Sequence, residues 1–440
     1  MVDDFESAPV PQDRLARMLR MGGLVGGIAG GAALGALGQV AGGRRPVMAD
    51  LLLTPANARK IADSLSRMRG AAMKMGQLMS MDAGEVLSPE MAEILGRLRD
   101  GAHPMPPKQL QGVLTAEWGA GWPKRFQRFD VRPIAAASIG QVHRAVTREG
   151  RDLAIKVQYP GVRRSIDSDV ANIAGLMRLP GVTPKGVDYA PLLEAGRLQL
   201  HDEADYAREG RYLEAFGRLL GASAEFVVPN LAPEFCTRNL LAMDYIDSVP
   251  IDDVAAAEPS VRDAVMARMI TLVLREVFEF RLMQTDPNFA NYRFVPSTGQ
   301  VVLLDFGASR EVTEGLSDGF RRLLQAGLAG ERASARAGMI ETGFFNASTT
   351  LGHQDTLLDM FDLAMTTLRG TGVHDFGTSD LATRLRDMGT AIGLSRDFTH
   401  VPPADMLFVQ RKIVGMYLLG ARLRARVAVG PLVAPFALSR

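Results

Sequence analysis

The feature that most constrains this chain is a spaced set of oxygen-bearing side chains. Asp286 is followed five residues later by Asn291, and fourteen residues after that by Asp305-Phe-Gly307. Between the last two lie short alternating runs, Tyr292–Phe294 and Val301–Leu304, with Pro296-Ser-Thr-Gly299 between them, which predicts a hairpin. Any fold for the chain must therefore present a loop, a hairpin and a strand end in that order. The chemistry that needs such a set is Mg²⁺ on phosphate groups. In such a set the Asn291 amide oxygen and the Asp305 carboxylate would supply hard ligands, and Asp286 would face an attacking hydroxyl. Composition removes the main competitors. A net charge of +1 over 440 residues gives no footprint for nucleic acid. The single cysteine, Cys236, excludes a disulfide framework, and six scattered His residues form no zinc-hydrolase motif.

Protein kinases space an Asp, an Asn and an Asp-Phe-Gly in this way, with a hairpin before the last. A second segment agrees with them. Ala135-Ala-Ala-Ser-Ile-Gly-Gln-Val142 aligns with a glycine-rich phosphate loop GxGxxGxV, reading AxAxxGxV. The two alanines add methyl groups where glycines let the backbone approach phosphate, which should restrict the nucleotide's pose. Lys156, in Leu153-Ala-Ile-Lys156, is the counterpart of the phosphate-gripping lysine of V-A-I-K. Such a lysine needs a glutamate partner on a helix. A helical stretch carries Glu203-Ala-Asp205 and Glu209, with Asp205 and Glu209 on one face at i, i+4; Glu209 is the first candidate and Glu203 the second. Departures matter as well. The usual His-Arg-Asp is here Gln284-Thr-Asp286, and nothing after Gly307 offers a peptide-docking loop, so a conventionally bound polypeptide is not the expected substrate.

Residues Met1–Arg14 are acidic and polar, unlike a secretory signal or a transit peptide. Met21–Gly43 then runs 23 residues without a charge, ten of them glycine, with Gly22, Gly26 and Gly30 on one row and Gly23, Gly27, Gly31 and Gly35 on the next, which suits a membrane-associated or self-associating helix as well as a flexible linker. Helical periodicity covers Thr54–Arg99 and ends at Pro104-Met-Pro-Pro107. Period two follows between Phe126 and Gln158, with a turn at Arg148-Glu-Gly150. Helices are expected from Val162 to Leu220, from Ser260 to Phe280 and beyond Gly315, and short strands near Phe226–Val228 and Leu240–Tyr245. Lysine is scarce, with seven among 50 basic residues.

Taken together, these motifs resemble the UbiB family of atypical kinase-like ATPases, the ADCK type linked to ubiquinone biosynthesis. The likeness runs from about Arg14 to Arg426. It is carried by Lys74-Met-Gly-Gln77 for the family's KxGQ, Ala135–Ser138 for its alanine-rich loop, Glu203–Asp205 for its ExD, Gln284–Asn291 and Asp305–Gly307. The resemblance implies an α+β, bilobal protein-kinase-like fold with an N-terminal helical KxGQ extension and a mostly helical C-lobe. Its parts would be a tail (1–48), the extension (49–125), an N-lobe with inserted helices (126–247) and a C-lobe (248–440). Lys74 and Gln77 would face the nucleotide site and occupy space a protein substrate needs. Ala135, Ala136, Ala137, Ser138 and Lys156 would line the phosphates, with Glu203, Asp205 and Glu209 behind them. Met243, Asp244, Tyr245 and Ile246 would form the adenine hinge, Asn291 and Asp305 hold Mg²⁺, and Asp286 take the catalytic base's position. The implied cofactors are ATP or ADP and Mg²⁺. The implied partners are a membrane lipid or quinone precursor, quinone-biosynthesis enzymes and a second copy of the chain; the setting is peripheral, at the cytoplasmic face of a bacterial inner membrane or in the cytoplasm, ahead of a mitochondrial matrix. The alternative function is a nucleotide-switched pseudokinase scaffold. C-terminal membrane helices found in some bacterial members are not expected, because charges interrupt Leu407–Arg440.

Overall fold

The computed structural model describes residues 104–136, 139–177, 190–221, 223–346, 349–393, 400 and 402–438. The glycine stripe, the helical region that carries Lys74 and Gln77, and Ala137 and Ser138 all lie outside the described residues. In chain order the elements begin α1 (Pro107–Trp118), β1 (Phe126–Phe129), β2 (Ala135–Ala136), β3 (Gly140–Thr147), β4 (Asp152–Gln158), α2 (Val162–Met177), α3 (Ala190–Glu203), α4 (Tyr206–Leu220), β5 (Phe226–Val227) and β6 (Leu240–Asp244). They continue with β7 (Val249–Pro250), α5 (Pro259–Arg275), β8 (Leu282–Gln284), β9 (Tyr292–Val295), β10 (Gln300–Leu303), β11 (Ser309–Glu311), α6 (Glu314–Ala329), α7 (Arg332–Glu341), α8 (Leu351–Met365), β12 (His374–Asp375), α9 (Leu381–Gly393), α10 (Ala404–Leu423), β13 (Arg426–Val427) and α11 (Val429–Leu438).

The chain divides into two compact units, the first running to Gly210 and resuming over Leu231–Tyr245, the second holding Arg211–Asn230 and Ile246–Arg440. The division falls two residues before the boundary expected at 247, and residues 211–230 group with the second unit because β5 pairs with β10 there. The first unit is built on an antiparallel sheet, β1-β3-β4-β6, with β2 added to β3. Leu153, Ile155 and Val157 of β4 are wholly buried, as their alternation requires. The buried face of β3 is different: it is Gln141, His143, Ala145 and Thr147. Its polar groups satisfy one another. Gln141 Nε2 donates to His143 Nε2 (2.8 Å), Gln141 Oε1 accepts from Met105 N (2.7 Å), and His143 Nδ1 donates to the Asp130 carbonyl (2.8 Å). Burial holds the His143 pKa down at about 4, so the ring is neutral. The proline run that closes the first helical stretch leads into α1, with Pro107 at its first position. Beyond α1, Trp118, Trp122, Phe126, Phe129 and Phe235 pack ring against ring.

In the second unit β5-β10-β9-β7 form one sheet, and β8 pairs with β11 and β12 with β13 in two small ladders. The β12–β13 ladder interrupts a stretch expected to be helical throughout. Helices α6, α7 and α8 enclose a core of Leu323, Ala326, Ala335, Met339, Phe345 and Leu358. The helix expected from Ser260 to Phe280 is α-helical to Arg275 and then widens into a π-helical turn, Glu276–Phe280, that ends at Arg281 in the left-handed region (φ 49°). Among the described residues, no helix is long and apolar enough to cross a membrane.

Candidate active site

The first unit supplies a buried ammonium. Lys156 lies in the middle of β4, paired with Val142 on one side and Leu241 on the other. Its Nζ donates to both carboxylate oxygens of Glu209, at 2.9 and 3.0 Å, and sits 5.3 Å from the centre of the Tyr206 ring. Lys156 is 8% exposed and Glu209 1%, so the pair is out of water and each charge depends on the other. The carboxylate reaches that position because one helix becomes two. Helix α3 stops at Glu203 and α4 starts at Tyr206, with Asp205 between them accepting a hydrogen bond from Arg208 N (3.1 Å) in the manner of an N-cap. The expectation that Asp205 and Glu209 share one face of a continuous helix is therefore corrected: Asp205 caps the helix that carries Glu209. Glu203, at the end of α3, accepts from Gln199 Nε2 (2.9 Å).

Ala135 and Ala136 pair with Val142 and Gln141, which fixes the start of the alanine-rich loop on β3. Gly140 closes it. A Cβ there would come within 2.6 Å of both the Val157 carbonyl and the Tyr206 hydroxyl, so only glycine allows β3 to approach β4 this closely. Met243 and Asp244 end β6. Asp244 pairs with Arg151 (2.7 Å), and the Arg144 guanidinium lies 4.0 Å over the Tyr245 ring. Ile246 opens the longer stretch of the second unit, Ile246–Arg440.

The second unit carries Asp286, Asn291 and Asp305. In the β9–β10 hairpin Tyr292 pairs with Leu303, and one step further Leu304 N donates to the Asn291 carbonyl (3.1 Å). This register puts Asn291 and Asp305 at the same end of the hairpin, as their spacing requires. Asn291 is buried, and its Nδ2 donates to the Asp286 carbonyl (3.2 Å), which leaves Oδ1 as the amide's presented end. Asp305 is half-buried and accepts from Gly307 N (3.0 Å). Asp286, also half-buried, accepts a long hydrogen bond from Asn288 N (3.4 Å). Phe306 of the Asp-Phe-Gly packs on Phe216 at 4.9 Å. Among the described residues no three His, Cys, Asp or Glu side chains cluster as a metal cage. One amide oxygen and one carboxylate fit Mg²⁺, which keeps waters and substrate phosphates as its other ligands.

Sequence reasoning missed what lies beneath the loop. Lys412 of α10 is wholly buried, and its Nζ donates to the Gln284 carbonyl (2.7 Å), Gln284 Oε1 (3.0 Å) and the Tyr292 hydroxyl (2.9 Å). Glu276, 1% exposed, stands 3.3 Å from the same ammonium. Burial opposes the charge on Lys412, but Glu276 and Tyr292 more than offset it and hold the pKa above the ordinary lysine range. Three residues further along α10, Gly415 lies against Pro287, and a Cβ there would overlap the proline ring. The signal that could have found Lys412 was the scarcity of lysine, since it is one of seven.

Residues 97–337 match the family model described as the ABC1 atypical kinase-like domain. The Saccharomyces cerevisiae protein named atypical kinase COQ8, mitochondrial, is 35% identical over 426 residues, covering 97% of this chain and 85% of its own. The Rattus norvegicus atypical kinase COQ8B, mitochondrial, is 34% identical over 432 residues, covering 97% and 81%. A solved structure from Mycobacterium tuberculosis, described as an Rv3197–erythromycin complex, superposes with a TM-score of 0.61 at 22% identity, covering 87% of this chain and 95% of that one. That last likeness speaks for the fold alone.

Proposed function

Because this chain belongs to the ABC1 (UbiB) family and is an atypical kinase by its domain, we propose that it is an ATP- and Mg²⁺-dependent kinase or ATPase serving ubiquinone biosynthesis at a membrane. The observation that carries the reading is the buried Lys156–Glu209 pair, since it is the ammonium a kinase-like domain uses on nucleotide phosphates. Lys156 binds those phosphates, and Glu209 keeps its ammonium charged and aimed. Mg²⁺, held by Asn291 and Asp305, would neutralise charge on the phosphates. Asp286 accepts the proton of the attacking hydroxyl or water, in the position its loop gives it. Ala137 and Ser138 extend the phosphate loop, and Met243–Ile246 hold the adenine. The family's KxGQ motif, Lys74 to Gln77, implies that these residues would take up the room of a protein substrate, which favours water or a small lipid-like acceptor such as a quinone precursor. Names of relatives that act in mitochondria support the quinone setting. The stripe at Met21–Gly43 supports contact with membrane or with a second copy.

Replacing Asp286 by Asn tests the reading. ATP turnover is expected to fall by about a thousandfold, while Mg·ADP still raises the melting temperature as in the parent. A strain carrying the substitution should then lose ubiquinone. Full quinone content with turnover abolished would assign the protein instead to the nucleotide-switched scaffold.

A further inference from the structure

The mechanism above makes no use of Lys412, yet this side chain holds Gln284 from below. Gln284 N donates to Glu276 Oε1 (3.4 Å), its carbonyl accepts from Lys412, and its Oε1 accepts from both Lys412 and Tyr292. That leaves Gln284 Nε2, which donates to the Asp286 carbonyl (2.8 Å). The same carbonyl accepts from Asn291 Nδ2. A continuous run of hydrogen bonds thus leads from a buried ammonium to the Asp286–Pro287 peptide, whose carbonyl also takes the hydrogen bond of the proposed metal ligand Asn291.

Stability alone is a poor reason for this arrangement. A buried ion pair is often matched or bettered by apolar side chains of the same volume, and apart from Arg411 the rest of the buried face of α10, including Met406, Val409, Met416 and Leu419, is apolar. Arginine would not serve either, although the chain uses it at 43 of 50 basic positions. The three acceptors lie around one nitrogen, which suits a compact ammonium and not a planar fork. The counter-ion comes from irregular backbone. Glu276 opens the π-helical turn, and such turns and left-handed residues such as Arg281 concentrate where a side chain has to be re-aimed.

We propose that Lys412, with Glu276 as its counter-ion, is a positioning residue: acting through Gln284, it fixes the Asp286 peptide and so the aim of the Asp286 carboxylate and the Asn291 amide. The proposal rests on the reading of Asp286 as the base, and that reading is checked separately by Asp286→Asn. The experiment uses the full chain and compares ATP-hydrolysis kcat and KM, Mg·ADP affinity and melting temperature. The double variant Lys412→Met/Glu276→Gln removes both charges together, so no unpaired ion is left buried. It is expected to bind Mg·ADP within about twofold of the parent and to lose about tenfold or more in kcat. Tyr292→Phe removes one hydroxyl from the same network and should lower kcat by about two- to fivefold with KM unchanged. A folded double variant with parental kcat would overturn the proposal. If the double variant does not fold, Tyr292→Phe decides, and parental kcat in that variant overturns it equally. Turnover that survives Asp286→Asn would instead sink the underlying reading, whatever the Lys412 variants do.

Discussion

Among the described residues each unit buries a lysine against a glutamate, and the two pairs differ in what surrounds them. Lys156 sits in a strand, holds both oxygens of a single carboxylate and keeps 8% of its surface in contact with solvent. Lys412 sits in a helix, keeps none, and spends its hydrogens on two oxygens of Gln284 and one of Tyr292, with Glu276 beside them. The first arrangement suits an ammonium meant for an incoming anion. The second has its acceptors already built in, so it can only organise the protein. On the proposed function, similar charge chemistry serves nucleotide binding in one place and support in the other, and the difference in exposure, 8% against none, fits that division.

The sharpest way to break this comparison is to treat the two lysines alike. Lys156→Met should lower kcat/KM for ATP by about a thousandfold and abolish the thermal shift by Mg·ADP. The double variant of the lower pair should keep that shift. Equal loss of nucleotide binding in both would mean the pairs are not different in kind.

Acid provides a second separation. His143, in the first unit, has its folded pKa lowered from 6.5 to about 4, so the unfolded chain binds the extra proton first. Its contribution is complete above pH 6.5 and is lost as pH falls towards 4, by about 3 kcal/mol in all. Hydrogen exchange at pH 7 and pH 5 should show β3 and β4 losing protection over this range, and His143→Gln should flatten the loss. Unchanged protection of the first unit would break the assignment.

The smallest effect is expected at Gly415. Alanine there forces α10 and Pro287 apart, at a cost of about 1–3 kcal/mol. Chemical denaturation measures that cost. If the lower pair does aim the loop, kcat should fall while Mg·ADP affinity stays level; a change in affinity alone would place the contact with the nucleotide group instead.

Much of the fold was legible because its signals are local. The period-two runs and the turns at Arg148-Glu-Gly150 and Pro296–Gly299 mark both hairpins, and the spacing of Asn291 and Asp305 follows from the second. The motif around Lys156 was legible for the same reason. Its partner was not settled in that way. Helical periodicity runs through residues 200–210 unbroken, and the break appears only once Asp205 turns its carboxylate onto Arg208 N, setting Glu209 against the lysine. Alternation also misreads β3, where Gln141 and His143 are buried because their hydrogen bonds close on each other. Lys412 was hidden most thoroughly. In the sequence it is one of the charges interrupting Leu407–Arg440, and its acceptor Gln284 lies 128 residues away.

That separation bears on how the protein is made. The loop carrying Asp286 leaves the ribosome well before α10, the helix that seats it through Lys412 and Gly415. A chain cut before residue 404 would carry all of these motifs and none of the support proposed for the Asp286 loop. On the role proposed for Lys412, competence follows the making of α10 and not that of the loop itself.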